Sequence, residues 1–92
     1  MMNMTAEQFI EESIVCYQEG DSVTLEDVVN ADFDEETISS AVIGMLSCDP
    51  SGYCCSNSET KNKVLEIVKK AMEHKDNYSD TEIEAMEYVL GC

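Results

Sequence analysis

The sequence contains no arginine, a single proline, a single histidine and four glycines. The missing arginine weighs most, because only five lysines then stand against 20 aspartates and glutamates, for a net charge of −15. Proteins recruit the dense negative charge of DNA and RNA with Lys and Arg, so direct nucleic-acid binding is excluded as the main business of this chain. The same sign excludes an anionic membrane surface. Any macromolecular partner is expected to be basic. No apolar run approaches 18 residues, so no membrane span is expected. Met1-Met2-Asn3-Met4, followed at once by Glu7, Glu11 and Glu12, has neither the basic nor the apolar segment of a secretory signal. An odd set of cysteines (16, 48, 54, 55 and 92) without such a signal reads as reduced thiols in a cytoplasm, the expected location.

What is present is enough for one small folded domain spanning residues 1–92. The hydrophobic fraction of 43% is ordinary for a globular chain and argues against disorder despite the charge. Helix signals dominate. Thr5-Ala6-Glu7-Gln8 is a capping box, in which the threonine hydroxyl accepts from the third amide while Gln8 reaches back. Behind it Ala6, Phe9, Ile10, Ile14 and Tyr17 recur at helical spacing, and Gly20 closes the helix. Thr24 caps a short second helix with Leu25, Val28 and Val29 inward. Asp34 caps a third, whose apolar stripe is Ile38, Ala41, Val42, Met45 and Leu46. Ser56-Asn57-Ser58-Glu59 reads as a further box before a fourth helix carrying Val64, Leu65, Ile67, Val68, Ala71 and Met72. Ser79-Asp80-Thr81-Glu82 opens a fifth, with Ile83, Met86, Val89 and Leu90 inward and Gly91 at its end. Asp49-Pro50-Ser51-Gly52 is a type I turn signal, and its flanks leave room for one short β-hairpin. The expected fold is mostly α, a compact bundle of about five helices.

Charge is unevenly placed. Residues 1–60 hold 13 acidic side chains and no cation, whereas residues 61–75 hold all five lysines (61, 63, 69, 70 and 75) against Glu66 and Glu73. Residues 76–92 return to five acids and no cation. Lys69, Lys70 and Lys75 suit the C-terminal end of the fourth helix, and all five suit pairing with acidic faces of the same chain or of a second copy. A homodimer therefore stays open.

The segment from Thr24 to Leu46 resembles a helix-turn-helix, with Val28, Phe33, Ile38 and Val42 where such motifs place their interhelical apolar residues. Asp32 stands at the usual glycine position, where aspartate tolerates a left-handed turn. A hairpin at residues 49–52 would extend the likeness to a winged helix. As a DNA reader the element has the wrong charge, since Asp34, Glu35 and Glu36 open the helix that must approach phosphates. A protein-binding module of degenerate winged-helix form is the alternative reading.

Other chemistries find less in the sequence. Asp21-Ser22-Val23 is similar to the Asp-Ser-Leu of acyl carrier proteins, which would place a phosphopantetheine arm on Ser22, but the third residue differs and too little chain precedes it. Cys48, Cys54, Cys55 and His74 lack the paired spacing of a zinc site, so no metal is expected. Residues 76–87 have Tyr78 and Thr81 where a calcium loop needs a ligand and a glycine. His74 has no nucleophile or base partner in view. Neither enzymatic activity nor a cofactor is expected.

Carboxylates three or four residues apart on a helix sit roughly 5–6 Å from one another, comparable to phosphates along a DNA strand. Small, very acidic and helix-rich, with its cation-free stretch over residues 1–60, the chain resembles the DNA-mimic inhibitors that bacteriophages deploy against host DNA-binding proteins. Among them it is similar in length and acidity to the anti-restriction nuclease proteins. The resemblance implies a non-enzymatic inhibitor that occupies the DNA site of a basic host protein, a restriction endonuclease or a nucleoid-associated protein. The working groups would be phosphate-mimicking carboxylates acting together: Glu7, Glu11, Glu12, Asp32, Asp34, Glu35 and Glu36, with Glu82, Glu84 and Glu87 continuing the pattern.

Overall fold

Every α-helix among the described residues begins where the sequence supplies a side-chain acceptor for its first free amides. In the computed structural model, which describes residues 5–20 and 23–91, these helices are α1 (Ala6–Gln18), α2 (Leu25–Val29), α3 (Glu35–Cys48), α4 (Ser58–Met72) and α5 (Asp80–Leu90). Thr5 with Gln8, Thr24 with Asp27 and Ser79 with Glu82 form reciprocal capping boxes. Asp34 accepts from the Thr37 amide at 2.9 Å. Gly20 takes the positive φ, +80°, that ends α1. The mostly-α bundle of five helices is the fold expected from the sequence. Ser22 and Cys92 lie outside the described residues, and with them the acyl-carrier reading and the fifth thiol.

Three local expectations are corrected. The segment after α3 is not a hairpin: no strand occurs among the described residues, and Pro50–Tyr53 winds as one 3₁₀ turn. Asp49 accepts from both the Ser51 amide and its hydroxyl, proline sits at the first position of the turn, and Tyr53 is buried. These local bonds occupy groups that a ladder would need, so the likeness to a winged helix loses its wing. The cap of α4 is Asn57 rather than Ser56, whose hydroxyl instead donates to the Gly52 carbonyl. Asp32 does not adopt a left-handed conformation, since no described non-glycine residue has positive φ. The Phe33 amide bonds back to the Ala31 carbonyl at 3.0 Å, which makes Asp32 the centre of an inverse γ-turn open to any residue.

The core gathers around α3, where Ala41, Val42, Ile43, Met45 and Leu46 are all buried. An apolar stretch buried on nearly every side belongs to a central helix, flanked here by others. Leu25 and Val28 of α2, Val64 and Val68 of α4, and Met86 and Val89 of α5 close over it. At the turn between α2 and α3, Val28 and Val42 are buried and Ile38 packs against the core, whereas the half-buried Phe33 stacks on Phe9 of α1.

α1 lies along α3 and is held at three points. The Phe9 and Phe33 rings stack with centroids 4.3 Å apart. Ile14 fits against Gly44 so closely that a Cβ there would come within 2.3 Å of its Cδ1. The Tyr17 hydroxyl donates to the Asp49 carbonyl at 2.6 Å. Burial, reinforced by the Asp49 carboxylate, raises the Tyr17 hydroxyl above the usual phenol value. The folded chain thus holds this proton more tightly than the unfolded one. That contribution to stability is complete below the ordinary phenol pKa near 10 and is lost as pH rises through the raised value. Tyr17→Phe should therefore lower stability by about 0.5–1.5 kcal/mol near neutral pH and remove this residue's share of the alkaline loss. Urea unfolding of both chains across the alkaline range checks the two effects.

Candidate interaction surface

The carboxylates singled out in the sequence divide by what else they do. Three are committed within the fold. Asp34 caps α3, and the hydrogen bonds from Thr37 hold its carboxyl below the usual value. Glu35 pairs with Lys70, whose ammonium is raised by that hydrogen bond. Glu82 closes the capping box of α5 by accepting from the Ser79 amide at 2.9 Å.

The other seven are exposed. Glu7 and Glu11, four residues apart, share one flank of α1; Glu12 falls on the opposite flank with Glu19. Helical spacing thus gives two rows, Glu7 with Glu11 and Glu12 with Glu19. Glu12 and Asp27 border a shallow pocket of about 210 Å³ floored by Phe9, Val23 and Val28. Asp32 sits in the turn beside Phe33, whose stacking on Phe9 brings that acidic turn to the first half of α1. Glu36 borders the cleft between α3 and the end of α4, with His74 and Tyr78. On α5, Glu84 and Glu87 continue a row that starts at Asp80, turned away from the buried Ala85, Met86 and Val89. Glu19 joins Glu12 as the sequence spacing pairs them; Asp27 and Asp80 are the added members, and the four-residue step from Asp80 to Glu84 carries the signal for the second.

Lys61, Lys63 and Lys70 of α4 are engaged within the fold. Lys63 donates to Asn30 at 2.7 Å and pairs with Glu59, and Lys70 reaches Glu35, so α4 is fastened across the α2–α3 corner. Lys61 lies over the Tyr53 ring at 5.8 Å. Among the described residues no ion pair involves α1 or α5. Like charges at four-residue spacing oppose folding by about 0.2–0.5 kcal/mol per pair, and α1 and α5 have no cation in place to offset them. Screening should consequently stabilise the fold. Raising NaCl from about 0.02 M to about 0.5 M is expected to raise Tm, by about 4–8 °C for each kcal/mol of repulsion removed. A Tm that falls with salt would show that the lysine pairs outweigh the repulsion.

No group of three or more potential metal ligands is assembled among the described residues, and Cys48, Cys54 and Cys55 are exposed. No described helix is long and apolar enough to cross a membrane. The fold and surface define a class: a small five-helix bundle with two uncompensated acidic helices and one lysine-bearing helix. No known protein family, no curated protein and no solved structure matches the chain.

Proposed function

We propose that the chain is a non-enzymatic DNA mimic, which inhibits a basic DNA-binding protein of a bacterial host by occupying its DNA site, in a phage counter-defence role. The observation that carries the reading is the pair of exposed acidic helices, α1 and α5, whose carboxylates have no cationic partner among the described residues. A cationic cleft attracts such a surface through the same long-range field that steers DNA into it. Carboxylate rows at about 5–6 Å supply charge at a spacing close to that of phosphates. The self-repulsion these rows impose is explained if the charge is needed for binding.

The test is capture by the immobilised chain from a nuclease-treated bacterial lysate, with elution by a salt gradient. Mimicry expects basic DNA-binding proteins that leave at moderate salt and are displaced by duplex DNA. A partner that resists salt and ignores DNA would overturn mimicry and favour the interaction-module reading, in which an apolar contact carries the affinity.

A further inference from the structure

The one cation-bearing helix carries a pattern that mimicry does not use. Glu59, Lys63, Glu66, Lys70 and Glu73 follow one another at intervals of four, three, four and three, so their side chains form a single stripe of alternating sign on α4. Beside it runs an open groove of about 620 Å³ between α4 and the α2–α3 corner. Its apolar lining is Val29, Phe33, Ile38 and Ile67, each only half-buried. In a molecule of net charge −15 this is where a second negatively charged copy meets the least repulsion, because residues 61–75 sum to +3.

We propose that the stripe and groove form a two-fold interface between copies of this chain, with the two α4 helices antiparallel. The stripe is self-complementary under such an axis. When two antiparallel helices cross at the level of residue 68, residues equally far before and after that point face each other. Lys63 then meets the second copy's Glu73, and Glu66 meets its Lys70, each pair occurring twice by symmetry. Ile67 lies next to the axis, so the apolar linings of the two grooves are covered together. Lys70 and Lys63 are already drawn toward this side by Glu35 and Asn30, which limits the freedom they lose on association. The inference is independent of mimicry, since it concerns α4 and not the acidic rows of α1 and α5.

Two variants test it by sedimentation equilibrium at about 0.15 M salt, an ionic strength that screens long-range repulsion beyond about 8 Å. Lys63→Glu with Lys70→Glu makes the stripe wholly acidic from 63 to 73; Glu66→Lys with Glu73→Lys makes the same stretch wholly basic. The unaltered chain is expected to form dimers. Each variant alone is expected to self-associate at least about tenfold more weakly. Mixed one to one they should dimerise again, because every opposed pair is then of opposite sign. Their net charges become −19 and −11, each substitution shifting the chain by two, so overall charge opposes the pairing and only the stripe can drive it. Far-UV circular dichroism verifies that both variants keep their helices. If either does not, Ile67→Asp, which leaves the lysine contacts with Asn30 and Glu35 in place, should abolish dimers by itself. A wild-type chain that stays monomeric up to about 500 µM, too weak to associate by about 4.5 kcal/mol of binding, overturns the proposal. So do variants that dimerise unimpaired, or folded variants whose mixture remains monomeric.

Discussion

Replacing Gly44 by valine is expected to destabilise the chain by about 3 kcal/mol, the upper end of what overpacking usually costs. Gly44 lies in the middle of α3, where glycine is otherwise unfavourable by about 1 kcal/mol relative to alanine. Its presence there is explained by α1. A Cβ at this position would stand 2.3 Å from the Ile14 Cδ1 and 2.8 Å from its Cγ1, distances that packed atoms do not share. Alanine could be met by a rotation of the flexible Ile14 end, so Gly44→Ala should be much milder, with helix propensity returning part of the clash. Valine adds two methyl groups to a stiff β-branched side chain and cannot be met that way. The helix must lift, disturbing the Phe9–Phe33 stack and the Tyr17 bond to Asp49 as well. Out of a total of roughly 5–14 kcal/mol for a chain this long, that is a large share. Trimming Ile14 to alanine in the Gly44→Val background should recover part of the loss, a coupling that a double-mutant cycle measures. Strict additivity of the two substitutions would mean that α1 and α3 do not meet as described.

The elements were legible because each helix carries its own start signal, and Thr5, Thr24, Asp34 and Ser79 cap where the sequence places them. The segment from 49 to 57 was not, and for a physical reason. Asp49, Ser51, Ser56 and Asn57 all offer short polar side chains to nearby backbone, and several local bonding schemes compete. Which scheme wins depends on Tyr53, whose burial closes the turn as 3₁₀ and leaves Asn57 free to cap α4. The site was legible as charge but not as surface. Helical spacing separates Glu7 and Glu11 from Glu12 and Glu19, since successive residues on a helix point about 100° apart, but it does not show that Glu12 and Asp27 come to border one pocket. Asp34 and Glu82 are legible as cap partners from the sequence, whereas Glu35 looks like a free carboxylate until the fold supplies Lys70. Period alone carried Asp80 into the row of Glu84 and Glu87, whereas the pairing of Lys70 with Glu35, 35 residues apart, has no local signature.

Reversing Glu11, Glu12, Glu19, Glu84 and Glu87 to lysine together is expected to weaken capture of the target by about 10³-fold or more, while each single reversal weakens it by less than about tenfold. None of these five uses its side chain to cap a helix or to join an ion pair among the described residues; Glu19 ends α1 through its backbone amide alone. The choice separates binding from folding by sign. Each reversal replaces a repelled carboxylate with a cation among anions, and lysine at Glu19 also suits the C-terminal end of α1. The net charge moves from −15 to −5, so the variant should be at least as stable as the parent. Loss of binding by a chain whose Tm has not fallen cannot be assigned to unfolding. Salt supplies the second readout: the parent complex should weaken steeply as ionic strength rises, and whatever affinity the variant retains should be nearly flat. A mimic distributes its affinity over many equivalent charges, which is why single reversals do little and five do much. An apolar docking module concentrates affinity in a few buried side chains, so five surface reversals would leave it largely intact. Undiminished affinity in the five-fold variant would therefore reject mimicry and leave the −15 as a matter of solubility.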